Sequence, residues 1–141
     1  MTCVDASEFA LGQIGRKEVN TICGDAFEVL KELHAKEKKY GVVIIDPPAF
    51  IKKRKDIENG VNAYLRIHRS ALKVLKPGGI LLTTSCSLHF SCEMMHDVLI
   101  RALYQEQRTG VIVEQLHQGQ DHPVHSCIPE TNYLKGFILS C

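Results

Sequence analysis

Four polar clusters stand where apolar stretches break off: Asp5, Asp25, Asp46-Pro47-Pro48 and Ser85-Cys86-Ser87. In open α/β sheets, ligands bind outside the carboxyl ends of the strands, where clusters of this kind fall. A carboxylate there accepts two hydrogen bonds with good geometry, which suits the two hydroxyls of a ribose. For Asp5, a plain cap on the following Ser7-Glu8 segment fits the position equally well. The chain has six cysteines, Cys3, Cys23, Cys86, Cys92, Cys127 and Cys141, and none forms a C-x-x-C pair. Most read as small buried hydrophobes, kept reduced. Cys86-x-x-His89-x-x-Cys92 has the look of a ligand set. Zinc sites, however, use four ligands in two short-spaced pairs, and no second pair exists here, so no metal is expected.

The elements that must carry these clusters alternate between strand and helix. That alternation favours a largely parallel sheet with helices packed on it. Met1-Thr2-Cys3-Val4 is a short strand ending at Asp5, and Thr21-Ile22-Cys23 is another, ending at Gly24-Asp25. Asp25 is placed to cap a helix with Phe27, Leu30 and Leu33 on one face and Glu28, Lys31 and Glu32 outward. Gly41-Val42-Val43-Ile44-Ile45 is β-branched and continuously apolar, as a strand buried on both faces should be. It stops at Asp46-Pro47-Pro48, because proline has no donor for the ladder. A helix from about Glu58 to Leu75 puts Val61, Tyr64, Leu65, His68, Ala71, Leu72 and Leu75 on one stripe. Lys76-Pro77-Gly78-Gly79 ends it.

Three further strands are predicted at Ile80 to Ser85, Val111 to Val113 and Phe137 to Leu139. Ser91 caps a helix with Met95, Val98, Leu99, Ala102 and Leu103 inward. A polar loop runs from about His117 to Asn132. Loops of that length are functional or disordered, and Pro123 and Pro129 argue that this one is at least partly held.

A length of 141 residues suffices for one domain with a real core, and 45% hydrophobic with 23% charged residues is ordinary for a globular chain. No apolar run approaches the ~18 residues that span a bilayer. The N-terminus lacks a basic stretch followed by a long apolar one, so no membrane association and a cytoplasmic location are expected. A net charge of +1 leaves any nucleic-acid affinity to a local patch.

In this order, Val4-Asp5-Ala6-Ser7, Gly24-Asp25-Ala26-Phe27, Ile45-Asp46-Pro47-Pro48-Ala49-Phe50, Leu75-Lys76-Pro77-Gly78-Gly79 and Ser85-Cys86-Ser87 resemble the motifs of class I, S-adenosylmethionine-dependent methyltransferases. Asp121-His122-Pro123-Val124 and Pro129-Glu130-Thr131-x-Tyr133-Leu134-Lys135-Gly136 sharpen the resemblance. It is to the catalytic domain of the bacterial 23S ribosomal RNA 5-methylcytosine methyltransferases of the large-subunit type. The resemblance covers nearly the whole chain. The proline-glycine-glycine turn alone is weak, but the full ordered set is specific.

The resemblance implies a Rossmann-like α/β sheet with helices on both faces, S-adenosylmethionine as cofactor and 23S ribosomal RNA as partner. Asp5, with Ala6 and Ser7, would bind the ribose hydroxyls. Asp25 would bind the adenine amino group, with Ala26 and Phe27 beside the ring. Asp46, counted with both the catalytic and the cofactor-binding residues, would line the target-base pocket with Pro47 and Pro48. There it would meet the Watson–Crick edge of an extruded cytosine. Phe50 would stack on the base or simply pack. Lys52, Lys53, Arg54 and Lys55 would touch RNA phosphates or form a solvated charge run. Cys86 would be the nucleophile, adding to C6 so that C5 can attack the methyl group.

Measured against the family, the chain starts at the second strand. The first strand and the glycine-rich loop are expected to be missing, with residues 1–141 the C-terminal part of a single domain. Gly12 and Gly15, each costing roughly 1 kcal/mol inside a helix, weaken the helix after Asp5. A gap or rearranged edge beside Val42 to Ile45 and marginal stability follow. Two other readings stay open: a non-catalytic remnant that binds RNA or a partner, and an amino-group methyltransferase of the adenine-N6 type, which needs no cysteine.

Overall fold

The computed structural model describes residues 1–141. They form two compact units, Met1–Lys38 and Lys39–Cys141. The first holds a sheet of two parallel strands, β1 (Thr2–Asp5) and β2 (Asn20–Cys23), with Asp5 opposite Cys23 in register. Helix α1 is a single short turn, Glu8–Gly12, capped by Ser7 and ended at the first of the two glycines. Helix α2 (Ala26–Ala35) starts at Asp25, whose Oδ1 accepts from Phe27 N (2.9 Å) and Glu28 N (3.2 Å). It buries Val29 and Leu30, leaves Phe27 and Leu33 half-buried, and turns Glu28, Lys31 and Glu32 to solvent.

The second unit carries a four-stranded sheet. Its strands are β3 (Tyr40–Ile45), β4 (Leu75–Ser85), β5 (Val111–Leu116) and β6 (Lys135–Ser140), in the spatial order β3-β4-β6-β5. β3 pairs with β4 parallel, while β6 runs antiparallel to both β4 and β5. The sheet of this unit is therefore mixed and not largely parallel. An antiparallel pair needs only a loop between its strands, and β5 and β6 are joined by residues 117–134 with no crossover helix. β3 hydrogen-bonds on one side only, so the edge beside Val42–Ile45 is open in the ladder.

Two helices complete this unit, α3 (Ile57–Val74) and α4 (Cys92–Gln105). α3 buries Tyr64, Leu65, Ile67, His68, Ala71, Leu72 and Val74. Each large apolar side chain so placed contributes roughly 1.5–3 kcal/mol. That outweighs the roughly 1 kcal/mol that Gly60 costs inside the helix. Gly60 also has a steric reason to be there, since a Cβ would collide with Ile51 Cγ1 and approach Phe50 O to 3.1 Å. α4 is capped by Ser91, whose Oγ accepts from Met94 N (3.2 Å), and buries Met95, Val98, Leu99 and Ala102.

The helices lie over the sheet face that carries Val43, Ile45, Leu81, Thr83 and Phe137, all buried. On the opposite face of β3, Val42 and Ile44 are 58% and 64% exposed, so this strand is buried on one face and not on both. The turn Lys76–Gly79 is absorbed into β4 as a wide bulge between the pairs Tyr40–Leu75 and Val42–Ile80. Gly78 takes φ +72° there, a conformation that favours glycine. No helix is long and apolar enough to cross a membrane.

Candidate active site

Asp46-Pro47-Pro48 and Ser85-Cys86-Ser87 follow the carboxyl ends of two adjacent parallel strands, β3 and β4. The register puts them side by side. Thr84 Oγ1 donates to Asp46 Oδ1 across the two strands. Asp46, Pro47, Pro48 and Cys86 line one open cleft of about 390 Å³ with Gln118, His122, Tyr133 and Leu134. Cys86 is a half-buried free thiol.

The loop that carries Cys86 is clamped on both sides. Ser85 and Ser87 are fully buried, and the Tyr64 hydroxyl lies within hydrogen-bond reach of both serine oxygens, at 2.7 and 2.9 Å. Ser87 N donates to Ser85 Oγ (3.2 Å), and Ile51 N donates to Ser87 Oγ (3.3 Å). The Tyr64 ring is itself held by Phe90, stacked at 4.1 Å, and by Phe50, edge-on at 4.9 Å. Phe50 therefore packs on Tyr64 and is absent from the cleft lining. Below this clamp, His68 Nδ1–H donates to Tyr64 O (2.6 Å), which leaves Nε2 to accept from Thr83 Oγ1 (2.7 Å). Burial pushes the His68 imidazole down to about 4, against a smaller opposing pull from the Tyr64 carbonyl.

The long polar loop forms one wall of the cleft and is held by its own side-chain bonds. Gln118 Oε1 accepts from Tyr133 N (2.9 Å) and Leu134 N (3.2 Å), and its amide donates to His122 O (2.9 Å). His122 pairs with Asp121 at 3.1 Å. A short 3-10 turn at Pro129–Thr131 braces the far end. The sequence contained Asp121-His122 and Tyr133-Leu134 within motifs but assigned them no role. Nothing in their spacing tells which end of the sheet the loop folds over.

Lys52, Lys53 and Arg54 are exposed and outside the cleft lining. Asp56, at the end of the 3-10 turn Arg54–Asp56, accepts from Lys53 N (3.2 Å) and holds the segment at the head of α3.

In the first unit, Asp5 and Asp25 stand exposed at the ends of neighbouring parallel strands. Each uses Oδ1 on its own backbone, Asp5 on Ser7 N at 2.7 Å and Asp25 on the start of α2, leaving Oδ2 outside these bonds. Two such carboxylates fit a ligand offering a diol and an amine. Ser7 spends its hydroxyl capping α1, accepting from Ala10 N at 3.2 Å. Ala6 and Ala26 are exposed beside the two carboxylates, and Phe27 is half-buried. No three His, Cys, Asp or Glu side chains converge as a metal site.

No protein-family model matches the chain. It is 33% identical over 129 residues to the ribosomal RNA large subunit methyltransferase I of Shewanella frigidimarina, covering 92% of this chain and 32% of that protein. The protein of the same name from Salmonella arizonae is 33% identical over 127 residues, 90% of this chain and 32% of the relative. The chain thus spans about a third of the length of the curated relatives it matches.

Among solved structures, a candidate methyltransferase crystallised with SAH superposes with a TM-score of 0.79 at 18% identity, covering 99% of this chain and 38% of that one. A candidate SAM-dependent methyltransferase from Streptococcus mutans gives 0.78 at 17%, with coverage of 99% and 38%. NSun6 from Pyrococcus horikoshii, solved with SFG, gives 0.58 at 15%, with coverage of 99% and 40%. These likenesses establish the α/β methyltransferase fold. Over nine-tenths of its length the sequence is similar to one segment of the large-subunit ribosomal RNA methyltransferases I, and the chain shares the α/β fold of S-adenosylmethionine-dependent methyltransferases.

Proposed function

We propose that this chain is the catalytic segment of an enzyme that methylates C5 of cytosine in ribosomal RNA, with 23S RNA as the substrate molecule. Residues 1–141 are read as the C-terminal part of one methyltransferase domain. The observation that carries this reading is the convergence of Cys86 with Asp46, Pro47 and Pro48 in one cleft. An amino-group methyltransferase needs the carboxylate and prolines but has no use for a thiol there.

S-adenosylmethionine supplies an electrophilic methyl group when bound. Asp5 holds its ribose hydroxyls, Asp25 its adenine amino group, and Ala26 and Phe27 flank the ring. The target cytosine enters the cleft unstacked. Asp46, with Oδ1 fixed by Thr84, accepts from the exocyclic amine, and the rigid Pro47-Pro48 pair walls the base. The Cys86 thiolate adds to C6, forming a C–S bond and moving the ring electrons to C5. C5 would then attack the methyl group, the methyl–sulfur bond of the sulfonium breaking with its electron pair left on sulfur, so that S-adenosylhomocysteine departs. A base removes the C5 proton, the electrons re-form the C5–C6 double bond, and the thiolate leaves. His122, oriented by Asp121 at the cleft wall, is the group placed for that proton. Lys52, Lys53 and Arg54 contact phosphates and add affinity without base readout.

The test is transfer of labelled methyl from S-adenosylmethionine to 23S RNA, with the product nucleoside identified. The wild-type chain should yield 5-methylcytosine, and Cys86→Ala should yield none. Transfer that survives in Cys86→Ala would defeat the covalent mechanism. Calorimetric titration of S-adenosylmethionine into the chain checks the cofactor roles: Asp5→Ala should weaken binding about tenfold or more, the loss of roughly 1.5–3 kcal/mol of hydrogen bonding to a charged group.

A further inference from the structure

Lys135 opens β6 and is 9% exposed. In register it stands opposite Ser85, and its ammonium donates to the Ser87 carbonyl at 2.7 Å. It therefore grips the residues immediately before and after Cys86. A buried lysine is ordinarily matched by a carboxylate, because an ammonium drawn out of water is left uncompensated without an anion. None of the ion pairs of the structure includes Lys135. Its only bonded partner is a neutral carbonyl. Burial pulls the Lys135 ammonium below the usual lysine range, while Cys92 and then Cys86 draw it back up.

We propose that Lys135 is the positioning cation of the Cys86 site, its buried ammonium stabilising the thiolate while its bond to Ser87 fixes the loop that carries it. This rests on the reading of Cys86 as the nucleophile. The other titratable groups facing Cys86 oppose or merely flank this effect. Asp46 brings like charge, but Thr84 engages it. His122 and Tyr133 line the cleft from the loop, and Tyr64 reaches the flanking serines from α3. Cys92, at the start of α4, competes for the same cation and also accepts from Gln115 Nε2 at 3.5 Å.

The test needs neither RNA nor cofactor. In a Cys92→Ala background, the rate of iodoacetamide alkylation of Cys86 is followed against pH. Lys135→Met should move the midpoint up by about one pH unit, a tenfold loss of thiolate near neutrality. Lys135→Arg should recover most of that loss. An unmoved midpoint in Lys135→Met, even with slower alkylation at every pH, overturns the proposal, because that is the signature of altered access alone. Should Lys135→Met fail to fold, the converse measurement serves. The Lys135 Cε resonance is titrated in the wild-type chain and in Cys86→Ser, and an identical midpoint in the two overturns the proposal. Loss of methyl transfer in Cys86→Ala with no alkylation shift in Lys135→Met would sink the role of Lys135 and leave the nucleophile standing.

Discussion

Around Cys86, geometry is set by side chains that do not touch the cleft. Tyr64 lies deep in α3, yet its hydroxyl is what holds Ser85 and Ser87 in place. Tyr64→Phe leaves two buried serine oxygens short of a partner and should cost about 1–3 kcal/mol in a urea melt. His68, one turn on, sets an acid limit on the fold. Its folded value of about 4 lies below the 6.5 of the unfolded chain, so the unfolded chain takes up the proton first as pH falls. Stability is fully present above about pH 6.5 and is lost between there and pH 4, by roughly 3 kcal/mol in all. Urea midpoints measured across that window should slope with pH, and His68→Gln should flatten the slope. That Asp46 and Cys86 stand at strand ends was legible in the sequence, because each follows directly on a strand-like run. Phe50 was legible only as an aromatic, and its edge-on contact with Tyr64 could not be read from the sequence. Gln118 and His122 were illegible as cleft residues, and Lys135 as the partner of Ser87, because chain separation hides which loop returns to which strand end.

At the scale of elements, the strands and both long helices of the second unit were readable from periodicity, and the caps Asp25 and Ser91 from residue type. The order of the strands was not, since a run such as Phe137-Ile138-Leu139 looks the same at a sheet edge and at its centre. Nor was the anchor at the end of α3 readable. The Arg108 guanidinium donates to the carbonyls of Leu72 (2.6 Å), Leu75 (2.8 Å), Lys76 (2.8 Å) and Cys141 (3.3 Å). One side chain thus ties the helix end, the glycine bulge and the residue after β6. Arg108→Ala should lower stability by about 2–3 kcal/mol, and Arg108→Lys should recover only part of that, because a point charge cannot reach four acceptors. Gly79 packs as closely, with Gly41 O and Lys76 O each 2.9 Å from where a Cβ would sit. Gly79→Ala should cost about as much by the same urea measurement.

For the molecule as a whole, the two units are unequal. Met1–Lys38 buries only Leu11, Val29 and Leu30 among its apolar residues, while Lys39–Cys141 buries a continuous set from β3 to β6. Amides of β1 and β2 should therefore exchange with deuterium well before those of β4 and β6, since local opening follows buried apolar area. Equal protection in the two sheets would contradict this. The position of β6 carries a consequence for synthesis. It is the last strand of its sheet to be translated, yet it lies between β4 and β5, which have no ladder with each other. Until residues 135–140 have cleared the ribosome, β4 and β5 wait with unpaired edges, and the Ser87 carbonyl waits without its ammonium. The nascent chain therefore joins β5 to the rest of its sheet and ties down the loop after β4 in one late step.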